Sequence, residues 1–173
     1  MKKNNVDVDR VRATVKGFEK DPQAAKKVNK VEGEWNPGNG AQFSATLSFE
    51  NGKVTLMADQ PAFLGGGGTH PGPIAYCLYG SASCYAATFA TMAAMEGVEI
   101  KKLTVSVETQ MDFSRVFGLS ENPIVESVKL SLYVESDAPK EKIKYIEALS
   151  KVRCPALYCL SNPIPLKTEL KTG

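Results

Sequence analysis

The chain has 173 residues, 43% hydrophobic and 23% charged, with 14 Gly and 10 Pro, which excludes disorder, collagen and coiled coil and leaves a soluble globular domain as the default. Its 21 Lys and Arg stand against 19 Asp and Glu, so there is no broad basic field to hold nucleic acid and no acidic tail. Four Cys are too few for a secreted disulfide scaffold and Met1–Arg12 has no apolar signal-peptide core, so a reducing, cytoplasmic setting is expected.

Residues 1–30 read as an N-terminal helical arm and 31–173 as a single domain. The arm carries nine basic and four acidic side chains, the pattern of a solvated face. Val8, Val11, Val15 and Phe18 recur at helical spacing, Asp21-Pro22 breaks the pattern, and a second short helical piece is expected through Ala24–Val28. Phe43, Ala45, Leu47 and Phe49 alternate with Ser44, Thr46 and Ser48, Asn51-Gly52 supplies a tight turn, and Val54, Leu56 and Ala58 continue the alternation, which predicts a hairpin.

From Pro71 to Met95 there are 25 residues without a charge. Few of them are strong membrane formers, so the segment predicts a helix from about Ile74 to Glu96, stopped at Gly97 and enclosed by protein rather than lipid. Leu103, Val105 and Val107, then Val128, Leu130, Leu132 and Val134, alternate with polar residues as two further strands, with no helix between them for a parallel crossover. Ser136 or Asp137 is expected to cap a second helix with Pro139 in its first turn and Ile143, Ile146 and Leu149 on one face, ending near Val152. Pro155 should open a short helix and Ile164–Leu170 a last strand. Antiparallel strands with two main helices predict an α+β fold.

Little in the chain offers chemistry. His70 has no Ser, Asp or Cys partner at a recognised catalytic spacing. The Gly65–Gly68 run lacks the Lys-Ser/Thr of a phosphate loop, so tight turning or close packing is the simpler expectation. Cys77 and Cys84 are seven residues apart and Cys154 and Cys159 five apart, neither spacing suiting a structural zinc site. Cys77 and Cys159 are expected to be small buried hydrophobes. Cys154 precedes a helix start, where unpaired N–H groups favour thiolate, and Cys84 sits among Ser81, Ala82, Ser83 and Ala87, which leave room for a second thiol or a small substrate. Spacing alone leaves a redox pair as one reading beside simple packing.

A set of motifs sharpens this. Asp59-Gln60-Pro61, Leu64-Gly65-Gly66, a Gly-Pro pair, Ser81-Ala82-Ser83-Cys84 in a long apolar helix and Cys154-Pro155 downstream occur in an order that resembles the OsmC/Ohr family of thiol-dependent hydroperoxide reductases. The match runs from about Trp35 to Leu170. Ser136-Asp137-Ala138-Pro139, Asn162-Pro163-Ile164-Pro165, Met111-Asp112-Phe113 and Phe117-Gly118-Leu119, with the N-terminal arm, resemble a longer branch of OsmC-like proteins.

The resemblance implies antiparallel sheets wrapped around two central helices and an intertwined homodimer with active sites at the subunit boundary; no cofactor is expected, and the cysteine spacing speaks against a metal. It implies that Cys84 is the peroxidatic thiolate, that Cys154 resolves it to a disulfide, that apolar walls favour organic hydroperoxides, and that an external dithiol is the reductant; neither nucleic acid nor membrane is a partner. The family's active reductases also carry a Glu just after the Pro that begins the central helix and an Arg in the N-terminal half. Here Ile74-Ala75 follow Pro73 and no Arg lies between Lys30 and Cys84, leaving Arg115, Arg153 or Cys77 as candidates for that role. The alternative expectation is therefore an OsmC-fold protein that binds a small-molecule or lipid-like ligand without peroxidase activity.

Overall fold

Alternation between Phe43 and Ala58 produces the expected hairpin in a computed structural model, which describes all 173 residues. In chain order the elements are β1 (Lys2–Lys3), β2 (Val6–Asp7), α1 (Val8–Lys20), β3 (Gly33–Trp35), β4 (Phe43–Phe49), β5 (Gly52–Ala58), α2 (Pro73–Met95), β6 (Lys102–Met111), β7 (Val125–Glu135), α3 (Lys140–Arg153) and α4 (Pro155–Ser161). The fold is α+β with every strand pair antiparallel. No helix is long and apolar enough to cross a membrane. Contacts divide the chain into two units, Arg10–Tyr79 and Met1–Asp9 with Gly80–Gly173.

In the Arg10–Tyr79 unit the sheet order is β3-β4-β5. Phe49 pairs with Gly52, so the turn residues are Glu50 and Asn51, one position earlier than expected. Gly52 serves a close approach instead, since a Cβ there would lie 3.0 Å from the Phe49 ring. β3 was not anticipated. It is three residues long and exists because Gly33 has no side chain where the Phe43 ring lies, 2.5 Å from a would-be Cβ. The expected helical piece Ala24–Val28 is a 3₁₀ turn at Pro22–Ala25, capped by the Asp21 side chain, which accepts from Gln23 N at 3.0 Å, and ended by extended backbone at Lys26.

Beyond β5 the chain folds over a buried carboxylate. Asp59, 1% exposed, accepts from Gly67 N (3.3 Å), Thr69 N (2.9 Å) and Thr69 Oγ1 (2.8 Å). A Cβ at Gly66 would stand 2.0 Å from Gln60 O, so the glycine run does supply close packing. The Thr69 N–H and hydroxyl hold the Asp59 carboxyl below its ordinary range, against the effect of burial.

In the other unit β6 and β7 form a long ladder with an irregularity at Gln110/Met111. Phe89 and Ala93 of α2, Val98 just past its end and Ile146 of α3 make its core, with Leu103, Leu132 and Val134 from the ladder packed against it. Burying an aromatic such as Phe89 contributes about 2–3 kcal/mol. α2 ends where Gly97, at φ +75°, takes the left-handed turn and Val98 N reaches Ala93 O at 2.8 Å. Asn4, between β1 and β2, donates to Val98 O and accepts from Ile100 N, each at 2.9 Å, so the first residues of the arm are pinned beyond that helix end.

Three expectations are corrected here. Neither Ser136 nor Asp137 caps α3: Ser136 Oγ donates to Glu99 O, Asp137 pairs with Lys101, and Pro139 is the capping residue. No strand forms at Ile164–Leu170; the segment pairs with none of the sheets, and Leu166 is 87% exposed. Finally, the uncharged helix is enclosed only in its second half. Tyr85, Phe89, Ala93 and Ala94 are buried, whereas Ile74 and Tyr79, the latter 72% exposed, face outward.

Candidate active site

Small residues on α2 and a forced elbow after α3 bring two thiols together. Ser81, Ala82, Ser83 and Ala87 flank Cys84 and leave its side of the helix thin. At the end of α3, Pro155 denies residue 154 helical dihedrals and opens α4 at its first position. Cys154 is therefore extended (φ −83°, ψ 118°) and ends one helix while starting the next. Ile146, Ser150 and Cys154 fall four residues apart and all are 0% exposed. The Cys154 thiol faces Cys84 with 3.7 Å between the two sulfurs, and no bond joins them.

Cys84 is half-buried and its thiol is pushed above the ordinary value, first by burial and then by the neighbouring sulfurs of Cys154 and Cys159; the Ala156 N–H opposes this by donating to it. The sequence credited the helix start to Cys154. The first turn of α4 aims its N–H at Cys84 instead.

The two arginines considered as activators are engaged elsewhere in the chain. Arg115 donates to Glu121 O (2.9 Å) and Asn122 O (3.3 Å) and pairs with the Glu121 carboxylate. Arg153 Nη1 lies 3.3 Å from Met92 Sδ. Cys77 and Cys159, expected to be buried, are both exposed, because Cys77 lies in the outward half of α2 and Cys159 on the open side of a short helix. His70 is half-buried, its Nδ1 3.0 Å from Thr69 Oγ1, beside the Asp59 clasp.

Sequence reasoning missed the polar group beside the thiols. Tyr85, fully buried, makes a long hydrogen bond (3.5 Å) to Glu147 Oε1, and Glu147 pairs with Lys151 at 2.6 Å. Burial, followed by the Glu147 charge, pushes the Tyr85 hydroxyl far up, so it stays protonated and donates. The available signal was Glu147-Lys151 at i,i+4 on the helix leading to Cys154.

A family model described as OsmC-like protein matches residues 65–169. Solved structures of similar fold include an OsmC-like protein from Mycoplasma pneumoniae, 25% identical, with TM-score 0.58 and 78% of this chain and 88% of that chain covered. An organic hydroperoxide resistance protein from Legionella pneumophila is 14% identical, with TM-score 0.54 and 79% and 92% covered. The organic hydroperoxide resistance protein OhrB of Bacillus subtilis is 20% identical, with TM-score 0.50 and 84% and 98% covered. No curated protein matches the chain.

Proposed function

Because this chain belongs to the OsmC-like family, we propose that it is a thiol-dependent peroxidase that reduces organic hydroperoxides in a reducing, cytoplasmic setting. The observation that carries this reading is the 3.7 Å separation of the Cys84 and Cys154 sulfurs, which closing to a bond of about 2.05 Å requires little movement. Two of the similar structures are organic hydroperoxide resistance proteins.

The Cys84 thiolate attacks the outer oxygen of the O–O bond. The alkoxide takes a proton and leaves as the alcohol, and Cys84 becomes a sulfenic acid. The Cys154 sulfur then attacks the Cys84 sulfur, its proton joins the departing hydroxide as water, and a disulfide remains; an external dithiol returns both thiols at the expense of its own oxidation. The Ala156 N–H donated to Cys84 supports the thiolate. The working form is an intertwined homodimer, a reading supported by the outward Ile74 and Tyr79, by Trp35 at 60% exposure and by the unpaired tail around Leu166.

Intact mass after one equivalent of an organic hydroperoxide tests the reading. Loss of two hydrogens is expected, with one added oxygen retained in Cys154→Ser and neither change in Cys84→Ser. Reduced protein unchanged after minutes of exposure overturns it.

A second reading, ligand binding without peroxidase activity, is favoured by the raised Cys84 thiol and by an apolar cavity of about 460 Å³ in the Arg10–Tyr79 unit, lined by Trp35, Phe43, Leu47, Leu56, Met57 and Tyr76 among others. Quenching of Trp35, the chain's one tryptophan, by a fatty acid in protein inert to peroxide supports this second reading.

A further inference from the structure

The proposed disulfide poses an access problem. Cys154 is wholly buried and Cys84 half-buried, yet an external dithiol must approach one sulfur in line with the bond it breaks. Cys159 is exposed, five residues beyond Cys154 on α4, the short helix that Cys154 itself caps. It also lines a cavity of about 610 Å³ between Val125–Leu130 of β7 and Leu157–Ser161 of α4, with Glu126, Ser127 and Ser161 among its polar lining.

We propose that Cys159 is a relay thiol that takes over the disulfide from the buried pair and presents it to the dithiol reductant at the surface. This rests on the peroxidase reading for the origin of the disulfide and on nothing else in it. The Cys159 thiolate attacks Cys154 Sγ, the Cys154–Cys159 bond forms, the Cys84–Cys154 bond breaks, and Cys84 leaves as a thiolate that takes up the proton Cys159 gave up. No electrons are gained or lost in this exchange. One thiol of the external dithiol then attacks Cys159 Sγ and expels Cys154. Its second thiol closes on the first, releases Cys159 and leaves the reductant as a disulfide.

The geometry sets a condition. Residues five apart on a helix have Cα atoms about 8.7 Å apart, beyond the roughly 6.8 Å a disulfide spans, so the first turn of α4 must open. That turn is weakly held. α4 has seven residues, far short of the roughly 12–15 that sustain an isolated helix. Its capping residue, Cys154, makes no side-chain capping hydrogen bond, and the Tyr158 N to Cys154 O bond (2.9 Å) closes its first turn. The cavity beside Cys159 gives the opened turn somewhere to go.

The test follows disulfide positions over time by acid quenching, alkylation and peptide mapping, in two arms: oxidation by an organic hydroperoxide, and oxidation by diamide, which needs no peroxidase chemistry. Expected is an early Cys84–Cys154 link that gives way to Cys154–Cys159. In Cys159→Ser the first link persists and its reduction by dithiothreitol slows about tenfold or more. If Cys84–Cys154 is the sole link at every time point, if diamide never forms it, or if Cys159→Ser is reduced as fast as wild type, the relay is wrong. If hydroperoxide leaves the thiols intact while diamide yields a link that migrates to Cys159, the relay stands and the peroxidase reading falls.

Discussion

Asp59 and Cys84 are both acids withdrawn from solvent, and their surroundings drive them in opposite directions. Asp59 receives two backbone N–H groups and a hydroxyl, and these outweigh the effect of burial, so the carboxylate is favoured and the loop closes around it. Cys84 receives one N–H and lies against the Cys154 sulfur, so burial dominates and the thiol is favoured. The first arrangement locks a fold. The second keeps a thiol protonated 3.7 Å from another sulfur.

The most severe way to break the contrast is to remove a sulfur. Cys84→Ser should abolish hydroperoxide-dependent disulfide formation altogether, read by intact mass, with the fold retained by circular dichroism. Next in size, Gly66→Ala pushes a Cβ against the Gln60 carbonyl and should cost about 2 kcal/mol through displaced backbone, read as a lower urea midpoint. Ala87→Lys sharpens the contrast from the other side. Ala87 is exposed three residues after Cys84, so an ammonium there should lower the thiol pKa by about one unit and speed alkylation near neutrality about tenfold. In the wild type the alkylation midpoint should lie above the ordinary thiol value of about 8.5.

The smallest effect concerns acid. The folded pKa of Asp59 lies below its unfolded value, so its contribution to stability is present above about pH 4 and is lost as pH falls through the lowered value. Asp59→Asn should flatten that part of the stability profile, read from urea midpoints on either side of it.

Much of the fold was legible because its signals are local. The alternations in β4, β5, β6 and β7, and the uncharged run closed by Gly97, each follow from side-chain period and a single left-handed turn. What escaped was decided across the chain. β3 needs the Phe43 ring as its neighbour, the expected capping residues of α3 are taken by Glu99 and Lys101, and the Ile164–Leu170 pattern joins no sheet. The meeting of Cys84 and Cys154, seventy residues apart, cannot be read from spacing; the family resemblance named the pair. Exposure of Cys77 and Cys159 was missed for the same reason, since an apolar helix does not reveal from its own residues which of its turns are covered.

Pro155 illustrates how much one prohibition can settle. With an ordinary amide at that position, α3 and α4 would be free to fuse into a single rod, and residue 154 would radiate from it like any other spoke. The imino ring forbids that continuation, and the resulting corner gives the sulfur its address. Position here is defined by a conformation the backbone cannot adopt, which leaves the flanking side chains free to vary without losing the corner.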